Sequence, residues 1–216
     1  MKSIRVFYKK TGRMRFVSHL DMNRLMIRIL RLSKLPIWYT EGFNTHAYVT
    51  FALPLSLGFE SEYEIMDFRL VDDAFPLDEV KQKLGAVMPE FIEIKKVCEP
   101  VKKYADVAFA RFCIEIYNKN IEKPLIELLK MPTVIVQKAT KKGGSKDIDL
   151  AEKIKEYSIE NKNGALLLNI TLPAGGADNI NPSLIFTALK AYKNVAADDY
   201  KIIRKAVLDY DMELFE

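Results

Sequence analysis

Two cysteines, two histidines and one tryptophan are the whole supply of such side chains in a chain of 216 residues. Cys98 and Cys113 stand apart, each in an alternating apolar stretch and without C-x-x-C spacing. That pattern favours buried thiols over redox work, and it excludes a four-thiolate iron–sulfur cluster held by this chain alone. No apolar run approaches the roughly 18 residues of a membrane span. The opening MKSIRVFYKK also lacks the apolar stretch of a signal peptide, so a cytoplasmic protein without membrane contact is expected. The G-x-x-x-x-G-K signature of a nucleotide loop is missing as well.

What is present is enough for real cores, since 49% of the residues are hydrophobic and 11% aromatic. A net charge of +4 is weak evidence for any partner. Its distribution says more. Residues 1–34 hold ten basic and one acidic side chain, whereas 35–100 hold five basic and twelve acidic. A basic surface is followed by an acidic one.

Hydrophobic periodicity gives an α+β chain. Residues 4–9 read as a strand, Thr11-Gly12 as a turn, and Ser18 with Asp21 as a capping-box variant that starts a helix from His19 to about Ser33. Leu20, Ile27 and Leu30, with Met26 or Leu25, give its expected buried stripe. Strands follow at 46–53 and 62–70, a helix from Pro76 to about Met88, and a strand at 91–98. This is the ferredoxin-like βαββαβ order. The second half repeats it with strands at 109–117, 133–139, 165–172 and 201–209 and helices at 121–131 and 181–192, Asn181 serving as N-cap. The expected architecture is therefore two tandem ferredoxin-like lobes with antiparallel sheets, 1–100 and 101–216, the second carrying a basic insertion at 141–163 with Lys141 and Lys142 at its tip.

Arg24, Arg28 and Arg31 lie at i, i+4 and i+7, on one helical face opposite the apolar stripe, and Arg13, Arg15 and Lys34 extend the row. Guanidinium groups bind phosphate through paired planar donors and keep their charge at any working pH. Such a face either contacts a polyanion, stays solvated, or pairs with the acidic strand Glu60 to Asp67. Tyr39, Phe43, Asn44 and Tyr48, beside Trp38, interleave aromatics with a polar loop and suit base stacking as well as packing. His19 and His46, with Asp21 or Glu41, form a minimal set for proton transfer if the two rings meet. Structural roles compete with that reading, and no metal is expected on the chain. Pro54–Gly58 reads as a turn, and the Pro173–Asn179 segment as a turn or an anion cradle ahead of a helix.

The motifs RFVSHLD (15–21), EGFNTH (41–46) and FALPLSLGFESEYE (51–64), with KKGGSKDIDL (141–150) and LPAGG (172–176), resemble the family of small proteins of unknown function linked to radical SAM enzymes. Ala47 stands where related chains carry proline or a similar residue. The resemblance implies a radical SAM enzyme as partner, with S-adenosylmethionine and the iron–sulfur cluster on that partner and no cofactor on this chain. It further implies work on RNA or a ribosome-related target, and it supplies no catalytic residues. The expected function is an RNA-binding or substrate-presenting accessory module. The alternatives are a protein–protein adaptor and, since the two-lobe plan is similar to that of the RNA-processing endonucleases of CRISPR systems, a metal-independent ribonuclease using His19 and His46.

Overall fold

The computed structural model describes residues 1–139, 143–176 and 178–216, so Lys141 and Lys142 lie outside the described residues. The first half contains β1 (Lys2–Lys10), α1 (His19–Leu32), β2 (Val49–Phe51), β3 (Glu60–Leu70), α2 (Leu77–Gly85) and β4 (Ile92–Cys98). The second contains β5 (Phe109–Ile116), α3 (Glu122–Leu129), β6 (Ile135–Ala139), β7 (Ser145–Asp149), α4 (Leu150–Lys153), β8 (Glu156–Lys162), β9 (Ala165–Pro173), α5 (Leu184–Lys193) and β10 (Tyr200–Leu208). Among the described residues the fold is α+β, with one long sheet in the order β4-β1-β3-β10-β5-β9-β8, β2 beside β3, and a separate β6-β7 hairpin. No described helix is long and apolar enough to cross a membrane.

The two halves share this sheet through its one parallel contact, where Glu60 and Ser61 of β3 meet Ile203 and Arg204 of β10. Alternation along β1 sends Ile4, Val6 and Tyr8 into one cluster with Met66 and Phe68 of β3, Met26 and Leu30 of α1, and Leu84 of α2. Phe7 and Ile65 join the other cluster, which contains Phe112, Leu168, Leu125, Ile185 and Phe215. The larger core thus reaches beneath the first half as well.

Several expected elements shift. Leu20 is 59% exposed, and the buried face of α1 is Met22, Met26, Ile29 and Leu30. Apolar residues occur on both sides of this helix, so periodicity fixes their spacing but not which arc is inside. The 46–53 strand contracts to β2 because residues 40–47 close on themselves and Pro54 brings no backbone donor. The strand at 133–139 pairs with β7 and stays out of the long sheet. Its place goes to β8, inside the segment read as an insertion, which lies along β9 at the sheet edge. Six of the seven β8 side chains are exposed, so no alternation marks it. Ser183, not Asn181, holds the N-cap position of α5. Asn181 Oδ1 accepts the Ser183 N–H at 3.0 Å and closes the turn before the helix. Lys138, at the end of β6 just before the basic insertion, pairs with Asp178 at 3.1 Å.

Candidate nucleic-acid interface

The basic segment begins as a single 3-10 turn, Gly12–Phe16, held from below by Lys10, whose Nζ donates to the Val17 carbonyl at 2.9 Å. Arg15 lies over the Phe16 ring at 4.7 Å and reaches Glu60 only at 3.9 Å. Ser18 then caps α1 as predicted, accepting the Asp21 N–H at 3.2 Å and donating its hydroxyl to the Asp21 carboxylate at 2.7 Å. Asp21 also takes Arg24 at 3.3 Å, an exposed pair of little energetic weight. Arg13, Arg28, Arg31 and Lys34 are exposed, and none has an ion-pair partner among the described residues.

The acidic strand that could have neutralised them is occupied from elsewhere. Glu60 binds Lys201 at 2.9 Å and the Gly12 N–H at 3.2 Å, Glu62 binds Lys205, and Glu64 binds Arg204. Asp67 takes Arg5 in a two-pronged pair, with Nε at 2.9 Å and Nη2 at 2.8 Å. Among the described residues, Arg15 is the one arginine of the predicted row that pairs with a β3 carboxylate.

The EGFNTH loop is a closed projection. Tyr39 and Ala47 bridge its base, and the Thr40 N–H donates to the His46 carbonyl at 2.9 Å. His46 Nδ1 lies 2.8 Å from the Asn44 carbonyl, which only accepts, so Nδ1–H is the donor of this bond. Gly42 takes a left-handed φ of 104°, and Phe43 beside it is fully exposed. His19 packs edge-on against Phe51 at 5.2 Å. No hydrogen bond or ring contact joins the two histidines. Asp21 bonds to the cap and to Arg24, and among the described residues Glu41 makes no hydrogen bond or ion pair with either ring. No group of three or more potential metal-ligating side chains gathers among the described residues.

Three features lie outside the expectations drawn from the sequence. Arg69 lies over Tyr48 at 4.6 Å and Trp38 at 5.5 Å, an aromatic clamp beside an open groove of about 390 Å³ that also includes Lys102 and Lys103. Arg5 is buried between the rings of Tyr104 and Phe215, at 5.1 and 5.0 Å. Arg204 is buried in β10, its Nη2 donating to the Leu53 carbonyl at 2.8 Å and to Glu64. A lone arginine in the apolar run IIRKAVL was the available signal for the last. Around it, burial pushes the Tyr8 phenol well above its ordinary value, helped by the charge of Glu64, while burial pulls the Lys10 ammonium down.

The Pro173–Asn179 segment acts as a turn at Gly175. With φ at 121°, a Cβ there would stand 2.3 Å from the Val107 carbonyl oxygen. Gly175→Ala is accordingly expected to cost about 1–3 kcal/mol, as strain of this kind does, read as a lower urea midpoint at unchanged m.

The model of a family described as "Uncharacterized protein conserved in bacteria (DUF2344)" matches residues 3–182. No curated protein matches the chain.

Proposed function

We propose that this chain, which belongs to that bacterially conserved family, is a non-catalytic module that holds structured RNA on the exposed face of α1 and presents it to a partner enzyme. One observation carries the reading: Arg13, Arg28, Arg31 and Lys34 are exposed cations without ion-pair partners among the described residues, while the carboxylates of the acidic strand β3 pair with cations of other strands. Tyr39, Phe43 and the Tyr48–Arg69 clamp supply flat surfaces for unpaired bases. The motifs that resemble those of radical SAM-linked proteins support a cytoplasmic radical SAM enzyme as that partner, carrying the cofactor chemistry itself. The strand orders β4-β1-β3-β2 and β10-β5-β9-β8 support reading each half as a ferredoxin-like lobe.

The test is Arg24→Glu, Arg28→Glu and Arg31→Glu together, with circular dichroism to check folding and fluorescence anisotropy on a structured RNA across a salt series. Affinity should fall at least about tenfold, and the slope of log K against log salt should flatten by about 0.7–0.9 per lost phosphate contact. An unchanged affinity and slope would sink the proposal. Exposed Phe16, Leu20 and Phe43 favour a second reading, an adaptor that docks the enzyme without RNA. Copurification that survives nuclease, in a protein that binds no RNA, selects it.

A further inference from the structure

Two loops singled out for their glycines and prolines, one from each half, close over the same spot. Asn181 Nδ2 lies 3.3 Å from Ser56 Oγ, and between the loops is a cavity of about 80 Å³. Leu53, Phe59, Phe112 and Ile180 contribute its apolar wall. Its polar lining is Ser56, Asn179, Asn181 and Arg204, so the only charge on the wall is a guanidinium. Arg204 is 2% exposed, and although its Nη2 is engaged by the Leu53 carbonyl and the Glu64 carboxylate, its buried Nε–H has no acceptor among the described residues. An unmet donor on a buried cation is costly, and a cavity beside it offers the place where an acceptor belongs.

The neighbouring helix agrees in sign. Asn181 and Pro182 line the cavity and lead into α5, a ten-residue helix with no acidic side chain in its first turn. Its first N–H groups already bond to Asn181, Pro182 and Ser183, so α5 contributes its dipole rather than its donors.

We propose that this cavity binds a compact oxyanion, the phosphate or carboxylate end of a larger ligand, with Arg204 Nε as the buried donor and Ser56, Asn179 and Asn181 at its mouth. The site uses none of the α1 arginines, so it stands or falls apart from the RNA reading.

The test follows the Arg204 Nε–H resonance of the intact ¹⁵N-labelled protein during titration with inorganic phosphate, with acetate, and with chloride as the ionic-strength control. A saturable shift with phosphate alone identifies a phosphate-bearing ligand, one with acetate alone a carboxylate-bearing ligand, and one with both a general oxyanion site. The companion variant is Asn181→Asp, which keeps an oxygen to accept the Ser183 N–H but places a negative charge on the wall and removes the Nδ2 donor. It should weaken binding at least about tenfold. If neither phosphate nor acetate gives a saturable shift beyond that of chloride, or if Asn181→Asp binds as tightly as the parent, the proposal is wrong.

Discussion

Glu64→Ala is expected to lower the stability of this protein by about 3–5 kcal/mol, the usual cost of stranding a buried charge. For a chain of this size that is a fall of about 6–20 °C in melting temperature. Glu64 and Arg204 are both buried, and the pair links β3 to β10 across 140 residues of sequence. Without the carboxylate, Arg204 keeps only the Leu53 carbonyl as a strong acceptor. Lys10 loses the neighbour that offsets the downward pull of burial on its ammonium. The double change Glu64→Leu with Arg204→Met removes both charges and should recover most of the loss, because a buried pair is often no better than an apolar replacement of similar volume. Thermal and urea unfolding of the two variants decide it. A double variant no more stable than Glu64→Ala would show that the desolvated arginine is not the cause.

Phe215→Ala is expected to cost a similar amount, about 3–5 kcal/mol, as a large aromatic deleted from a core. Residues 210–216 turn back on β10: Asp209 Oδ1 accepts the N–H groups of Asp211 and Glu213 at 3.0 Å, and Leu214 bridges to Leu208. Phe215 is thereby laid in the larger core, where its ring covers Arg5 and its carbonyl accepts the Tyr63 hydroxyl at 3.0 Å. The loss should show as a lower urea midpoint, and Tyr63→Phe, which deletes one hydrogen bond, should cost only about 1 kcal/mol. Equal effects from the two changes would overturn this account of where the energy lies.

The elements that could be read in the sequence are those whose pattern is local. The Ser18 cap needs only Asp21 three residues on, and strands such as β1, β5 and β9 announce themselves by apolar content. What stayed hidden depends on partners distant along the chain. β8 has almost no buried face, so its strand character comes from β9 alone. The contact of β3 with β10 rests on two residue pairs and three cross-strand ion pairs, which no local window contains. The candidate interface divides in the same way. The common face of Arg28 and Arg31 follows from helical spacing, whereas their lack of ion-pair partners among the described residues goes with β1 and β10 having claimed the β3 carboxylates. The histidines were each legible as unusual, and only three-dimensional placement shows that no contact joins them.

The arrangement of β3 bears on how the chain emerges from the ribosome. One end of its outer edge is covered early by β2, but the other must wait until β10 has been made, more than a hundred residues later. Through that interval the waiting edge displays Glu60, Glu62 and Glu64, and a row of like charges repels other nascent strands seeking an open edge. Lys201, Arg204 and Lys205 arrive together as the matching set, so the carboxylates that join the two halves are the same ones that charge the edge while it is open.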